Sequence, residues 1–271
     1  HRVTVYERFA EPQPIGAGII LQPTGQRVLE RLHLLEPVVA KGARLSGLRV
    51  DRANGKELLA LRYGDVSPAY YGLGLHRGVL FEVLFEALQR QPHVALELGV
   101  PCEALVRRGE QFFVEDAGGR RFGPHDLVIA ADGARSRLRD DTGLARSADP
   151  YPWGALWFVA EDKGEVFRDE LYQVVDGTRC MLGLLPTGRG PGTSKGPPLV
   201  SLYYSLAARD VEAWRKDGFG AWRAHIRALC ERAGFVVDAI THPGDVLFSA
   251  YHDVVMHPWN TRAVVHLGDA A

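Results

Sequence analysis

The stretch Asp126-Leu127-Val128-Ile129-Ala130-Ala131-Asp132-Gly133-Ala134-Arg135-Ser136-Arg137-Leu138-Arg139 decides the fold. Its first half is an apolar run between acids, the pattern of a central parallel strand with helices over both faces. Asp132-Gly133 breaks the strand, and residues 134–139 read as the start of a helix. Glycine lets a backbone approach a ligand closely, and a helix N-terminus favours an anion. The same residues also describe a tight strand-to-helix turn ahead of a basic surface helix. Residues 262–271 repeat the pattern: a buried-looking strand delivers Gly268-Asp269 to the first turn of an expected helix, where Asp269 can accept from ligand hydroxyls.

Working outward, Val3 and Val5 alternate with polar residues as a short strand ending in Tyr6-Glu7-Arg8. Residues 9–23 carry Pro12, Pro14, Pro23, Gly16 and Gly18 and read as a loop. Pro23-Thr24 opens a helix with Thr24 as its cap and Val28, Leu29, Leu32 and Leu35 as its apolar stripe. Two strand-like runs, 48–52 and 57–61, flank the hairpin signal Asn54-Gly55. His76-Arg77 leads from an extended segment into a helix whose apolar positions Leu80, Val83, Leu84, Ala87 and Leu88 share one face. Strands follow near 95–98, 102–106 and 111–115. From about Tyr151 the texture changes to aromatic-rich extended segments, with a Gly/Pro-rich loop at 187–198 and helices near 210–216 and 220–233.

The fold class is therefore α/β: a Rossmann-like layer of parallel sheet and helices, plus a mostly antiparallel, sheet-rich region. Residues 1–150 form the first part of the layer, 151–250 the sheet-rich region, and 251–271 a return to the layer. The chain starts inside a strand and stops where a helix should begin, so we expect a fragment cut at both ends.

Composition excludes several classes. Of 271 residues, 46% are hydrophobic and 24% charged, with 32 Lys+Arg against 33 Asp+Glu. A net charge of -1 gives no global attraction to nucleic acid or an anionic membrane. The arginines of 135–139 are too few for a nucleic-acid stripe. No run approaches the roughly 18 apolar residues of an integral membrane helix. Three scattered cysteines, Cys102, Cys180 and Cys230, suggest neither a disulfide framework nor a zinc knuckle. A reducing, cytoplasmic setting and no metal site are expected.

Taken singly, the remaining motifs are weak. A strand-end acid such as Glu7 suits a ribose diol, because both carboxylate oxygens accept, yet it is equally a solvated glutamate. The glycine fingerprint that should precede such an acid is absent, since only six residues come before it. Gly16-Ala17-Gly18 and the 188–192 glycines open no helix and cradle no phosphate.

Together they are specific. Glu7-Arg8, the 16–23 loop, His76-Arg77 before an amphipathic helix, DLVIAADGARSRLR and RAVVHLGDAA follow one another in an order and spacing that resembles the FAD-dependent monooxygenases of the aromatic-hydroxylase, para-hydroxybenzoate hydroxylase-like family. The resemblance covers essentially the whole chain, least securely 151–250. It implies that Glu7 holds the adenosine ribose and that Arg8 flanks the adenine. Gly16 and Gly18 run beside the isoalloxazine ring, and Arg77 reaches the pyrophosphate or ribityl chain. Cys102 touches adenine through its backbone, Asp132-Gly133 supports the FAD, and Gly268-Asp269 bonds the ribityl hydroxyls.

The implied reaction hydroxylates a phenolic or other aromatic substrate. NADH or NADPH reduces a noncovalent FAD, and dioxygen is captured as a flavin C4a-hydroperoxide. No catalytic side chain is named by the sequence. Tyr172, Tyr203, Tyr204 and His225 lie in or near the region resembling the substrate sheet, each also readable as core or surface. Epoxidation, oxygen-independent oxidation or reduction, and a flavin-less binding scaffold are the alternatives.

Overall fold

The computed structural model describes residues 1–193 and 195–271, with Ala145 and Arg146 described as backbone only. The chain divides into two compact units. One comprises His1–Pro12, Gln89–Pro152 and Ala250–Ala271; the other comprises Gln13–Leu88 and Trp153–Ser249.

The first unit contains two parallel strand pairs. Val3–Glu7 pairs with Val94–Leu98, and Val128–Ala130 pairs with Val264–His266. Between them runs an antiparallel meander of Cys102–Arg108, Gln111–Asp116 and Arg121–His125. Its second turn is built by Asp116, whose carboxylate accepts from the backbone of Gly118 and Arg120 and from the Arg120 guanidinium. Val114, Val128 and Val264 form the core, with Tyr6, Cys102, Leu105 and Phe112 packed on it.

The second unit is built on a seven-stranded sheet. Its order is Leu247–Met256, Ala145–Glu161, Leu199–Ala207, Cys180–Gly188, Glu170–Asp176, Gly47–Arg52, Glu57–Arg62. The outer two strands, Leu247–Met256 and Ala145–Glu161, run on into residues of the first unit. Glu170–Asp176 pairs in parallel with Gly47–Arg52, whereas the pairings from Ala145–Glu161 through Leu199–Ala207 and Cys180–Gly188 to Glu170–Asp176, and that of Gly47–Arg52 with Glu57–Arg62, are antiparallel. Helices between 211 and 239 cover one face. There Trp214, Trp222 and Ile226 pack on Leu182, Leu184 and Leu202. A smaller antiparallel sheet joins Gly18–Leu21, Gly72–His76 and Ala43–Leu45. Leu29, Val38 and Val79 bury its Leu73 and Leu75 beneath helices Pro23–Arg31, Leu35–Val39 and Arg77–Gln89.

These parallel pairs, helices and mostly antiparallel sheet are the expected α/β class. Several local expectations change. The helix at Pro23–Arg31 is capped by Gln22, not Thr24, with no side-chain bond. Proline at the first helical position has a suitable φ and no N–H to orphan, so it shifts the start forward. Of the expected stripe only Leu29 is buried, whereas Val28 and Leu32 are more than half exposed. The buried face of Arg77–Gln89 centres on Val79, with Leu80 and Val83 beside it, while Leu84 is exposed.

The deciding strand is also covered on one side only. Val128 and Ala130 are buried, but Ile129, which alternation places on the opposite face, is 57% exposed, so that face has little cover among the described residues. Residues 134–137 form a turn, and the helix is the five-residue Leu138–Thr142. Gly268–Ala270 is a single 3-10 turn. Neither segment is the long helix whose N-terminus could hold an anion.

Candidate functional site

In the first unit the candidate residues gather at the carboxyl ends of the parallel strands, where ligands of open α/β sheets bind. Glu7 ends the first strand opposite Leu98. Its carbonyl accepts from Val100 N at 2.9 Å, and the chain then turns into Cys102. Glu7 Oε1 accepts from Phe9 N at 2.9 Å, which orients the carboxylate and leaves Oε2 for a ligand hydroxyl. Arg8 is exposed, with its guanidinium 4.7 Å above the Phe9 ring.

The other parallel pair delivers the two acid-glycine turns side by side. Leu267 N donates to Ala130 O at 2.9 Å, so the pairing extends to the points where both strands end. Asp132 and Asp269 are exposed beyond those ends. Gly133 (φ +86°) and Gly268 (φ +60°) adopt left-handed backbone, and a Cβ on either would meet nothing within 4 Å. Left-handed turns facing open space leave room for a ligand to approach the backbone.

Sequence reasoning missed what ties these turns together. Arg139 is almost fully buried; one NH2 group donates to Ala134 O at 3.0 Å and the other to Ala270 O at 3.4 Å. Its backbone N donates to Ser136 Oγ at 3.1 Å. The signal was present in the DGARSRLR string, but read as a surface helix it gave no reason to bury an arginine. His266 is buried beside Thr142 Oγ1 (3.4 Å), and burial lowers its pKa, with Asp132 opposing.

Cys102 shows how close the acids lie. Its thiol is pushed up to about 11, first by burial and then by the charges of Asp132, Asp116, Glu7 and Glu103. Glu7, Cys102 and Asp132 thus share one neighbourhood. A thiol so raised stays protonated at neutral pH and is a poor nucleophile. Burial also raises the Cys180 and Cys230 thiols. Alkylation of the folded protein by iodoacetamide at pH 7.5 should therefore run well below the rate for free cysteine at all three thiols. A stoichiometric fast-reacting thiol would contradict this environment.

In the second unit Gly16, Gly18 and Arg77 converge. Arg77 N donates to Ala17 O at 2.9 Å, and Gly18 pairs with His76. Gly16 (φ +140°) leaves space for the Arg77 stem, since a Cβ there would lie 3.0 Å from Arg77 Cβ. The guanidinium is exposed and has no carboxylate partner among the described residues. His76 Nδ1 accepts from Gly78 N at 3.1 Å, closing the first turn of the helix, and burial lowers the imidazole pKa. Gly18 N donates to Ser201 Oγ at 2.9 Å. A Cβ on Gly18 would sit 2.6 Å from Thr187 Cγ2, so the strand Gly18–Leu21, where the sequence suggested only loop, starts directly on the large sheet.

Strand alternation sorts the four candidates of the sheet region. Tyr172, Tyr204 and His225 belong to the helix-covered face. The Tyr204 hydroxyl meets His225 Nδ1 at 3.1 Å, and the Tyr172 hydroxyl donates to Asp51 Oδ2 at 2.9 Å. Burial raises both phenols, Tyr172 to about 12. Tyr203 alone of the four lies on the opposite, open face, tilted against Trp157 at 5.4 Å. A separate concavity of about 490 Å³, lined by Arg52, Asn54, Leu58 and Asp176, contains none of the expected site residues.

No family model matches the chain. It is 28% identical to 3-amino-4-hydroxybenzoate 2-monooxygenase of Streptomyces cremeus over 98% of this chain and 65% of that protein. It is 30% identical to the FAD-dependent monooxygenase OpS4 of Beauveria bassiana over 58% of this chain and 37% of that protein. The chain thus spans less than two thirds of the length of these relatives. A solved structure of pqsL, a probable FAD-dependent monooxygenase from Pseudomonas aeruginosa, superposes with a TM-score of 0.82 at 22% identity, covering 100% of this chain and 72% of that one. The chain is thus similar in sequence to proteins named as monooxygenases, among them FAD-dependent ones, and it shares the fold of the pqsL structure.

Proposed function

We propose that this chain carries most of the cofactor- and substrate-binding residues of an FAD-dependent monooxygenase that uses NADH or NADPH and dioxygen to hydroxylate a phenolic or other aromatic compound. The observation that carries the reading is the pair of acid-glycine turns, Asp132-Gly133 and Gly268-Asp269, side by side at the ends of parallel strands and facing open space. Such turns fit a polyhydroxylated, phosphate-bearing cofactor. The relatives' names supply its identity as FAD.

The residues have distinct tasks. Glu7 Oε2 and the Asp269 carboxylate accept from ribose and ribityl hydroxyls. The Cys102 backbone and Arg8 border the adenine. Asp132-Gly133 supports the cofactor backbone, with Arg139 holding the turn from below. Arg77 offers a planar fork suited to phosphate oxygens, and Gly16 and Gly18 permit a flat ring to pass close to their backbone.

When bound, FAD would supply the redox chemistry, taking reducing equivalents from the nicotinamide and passing one oxygen atom of dioxygen to the substrate. The protein's share is to orient the substrate and exclude water, for which aromatic and aliphatic side chains on the open sheet face are apt. Binding is noncovalent: none of the proposed cofactor-contacting side chains is a histidine, and the Cys102 thiol is protonated. A cytoplasmic setting is supported by the three unpaired thiols.

The full-length protein should consume NAD(P)H and dioxygen in equal amounts in the presence of an aromatic substrate. The product should gain one oxygen carrying label from dioxygen and not from water. Turnover at the same rate without oxygen would replace this reading with that of a dehydrogenase.

A further inference from the structure

The helix-covered face of the seven-stranded sheet gathers the rings of Tyr204, Trp222, Trp214 and Phe219 with the His225 imidazole in one continuous cluster. Tyr204 is 8% exposed, and Trp222 and Trp214 are each 5% exposed. Ring centres lie 6.1 Å apart from Tyr204 to Trp222 and 5.4 Å apart from Trp222 to Trp214, both pairs edge to face. Tyr204 projects from the strand Leu199–Ala207. Trp222 and His225 stand three apart on the helix Phe219–Leu229, so one helix face presents both to the phenol.

The cluster is chemically uneven. The Tyr204 hydroxyl lies 3.1 Å from His225 Nδ1, with the Cys180 thiol as a second neighbour. Burial keeps the phenol protonated. With His225 as the Nε2–H tautomer, that single proton is donated to Nδ1. The indole Nε1 atoms of Trp214 and Trp222 are sealed from solvent and have no acceptor among the described residues. An indole that loses an electron there cannot shed its proton, so it stays a strongly oxidising cation. A phenol that loses an electron beside an imidazole hands its proton over and becomes a neutral radical. His225 is half-buried, which gives that proton a way to water.

We infer that Tyr204 and His225, with Trp222 and Trp214 leading to them, form a relay that collects one-electron oxidising equivalents and holds them as a neutral tyrosyl radical. The oxidant is an inorganic radical such as carbonate radical, which takes up one electron and becomes the carbonate anion. That electron leaves Trp214 or Trp222, and the tryptophan is refilled from Tyr204. The Tyr204 proton crosses to His225 Nδ1, leaving a tyrosyl radical and an imidazolium. A small thiolate returns one electron, becoming a thiyl radical, and the proton passes back from His225. Such a relay spares methionine and cysteine, whose oxidation ends in sulfoxide or sulfonic acid. None of its side chains belongs to the proposed cofactor site, so it stands apart from the monooxygenase reading.

The test is flash photolysis of the full-length protein carrying a ruthenium polypyridyl photo-oxidant on Ala213→Cys, an exposed position next to Trp214. Radicals are read by transient absorption and by electron paramagnetic resonance. A tyrosyl radical is expected in this parent protein, forming more slowly in heavy water. Tyr204→Phe should remove most of it and leave a tryptophan radical in its place. His225→Phe should slow its formation about a hundredfold, the scale of a well-placed proton acceptor. Circular dichroism shows that each variant is folded, and the heavy-water comparison needs no further variant. No tyrosyl radical in the parent, an unchanged yield in Tyr204→Phe, or a rate indifferent to both His225→Phe and heavy water overturns the inference.

Discussion

Gly74→Val is expected to lower the melting temperature of the full-length protein by roughly 5–10 °C. Gly74 is central in the small sheet, paired with Ile20 on one side and Ala43 on the other. A Cβ at this position would overlap the carbonyl oxygen of Pro186, with Leu185 Cδ1 3.3 Å away. The obstacle is backbone held in the large sheet, so no rotamer change relieves it. Overpacking of a fixed core costs about 1–3 kcal/mol and sometimes more, and each kcal/mol corresponds to ~2–4 °C in a chain of this size. Gly220→Ala is the control. It lies in the helix Phe219–Leu229 with nothing within 4 Å of its missing Cβ, and alanine is the better helix former. Scanning calorimetry should show a clear loss for the first and none for the second. Equal, small shifts would mean that the two sheets do not approach at Gly74 as described.

The same close approach explains what could and could not be read in advance. Periodicity of two located the hairpin around Asn54-Gly55, which forms as Gly47–Arg52 with Glu57–Arg62 and places Gly55 at φ +79°. The helix after His76 and the strands of the meander are also legible, because each is a local pattern of apolar spacing and turn residues. The DG and GD turns were legible as punctuation. Their adjacency was not, since it depends on the pairing of strands more than a hundred residues apart. Burial of Ile129 failed because an apolar run reports that a face prefers cover, not that the cover exists.

The open face of the large sheet was the least visible feature. Four aromatic or imidazole side chains stood out, and three of them turned out to serve the helix-covered core. Choosing among Tyr203, Tyr204 and Tyr172 requires the phase of each strand, and a one-residue error exchanges the faces. Gln173 and Gly183 carry no signal at all in one dimension, and only register brings them into line with Tyr203. Arg139 is a similar case: its three donations go to two turn carbonyls and a serine that no spacing rule connects.

Arg77→Ala is expected to weaken FAD binding by the full-length protein more than tenfold, while Arg108→Ala leaves it nearly unchanged. Both arginines are exposed, so total charge cannot separate them. Placement does. Arg77 opens a thirteen-residue helix, and its stem is held against Gly16, whose φ of +140° and missing Cβ make the space for it. No carboxylate among the described residues competes for its guanidinium, which is left available to a phosphate. Arg108 ends an outer stretch of the meander and lies 6.0 Å from the Phe113 ring, a loose contact with no ligand-facing turn. A hydrogen bond to a charged group contributes about 1.5–3 kcal/mol, which sets the tenfold scale. Arg77→Lys should fall between, because an ammonium keeps the charge but not the two-pronged geometry. Quenching of flavin fluorescence on titration of each apo-protein gives the three affinities directly. Equal losses for Arg77→Ala and Arg108→Ala would remove Arg77 from the cofactor site. Full retention by the lysine variant would show that it acts there as a charge alone.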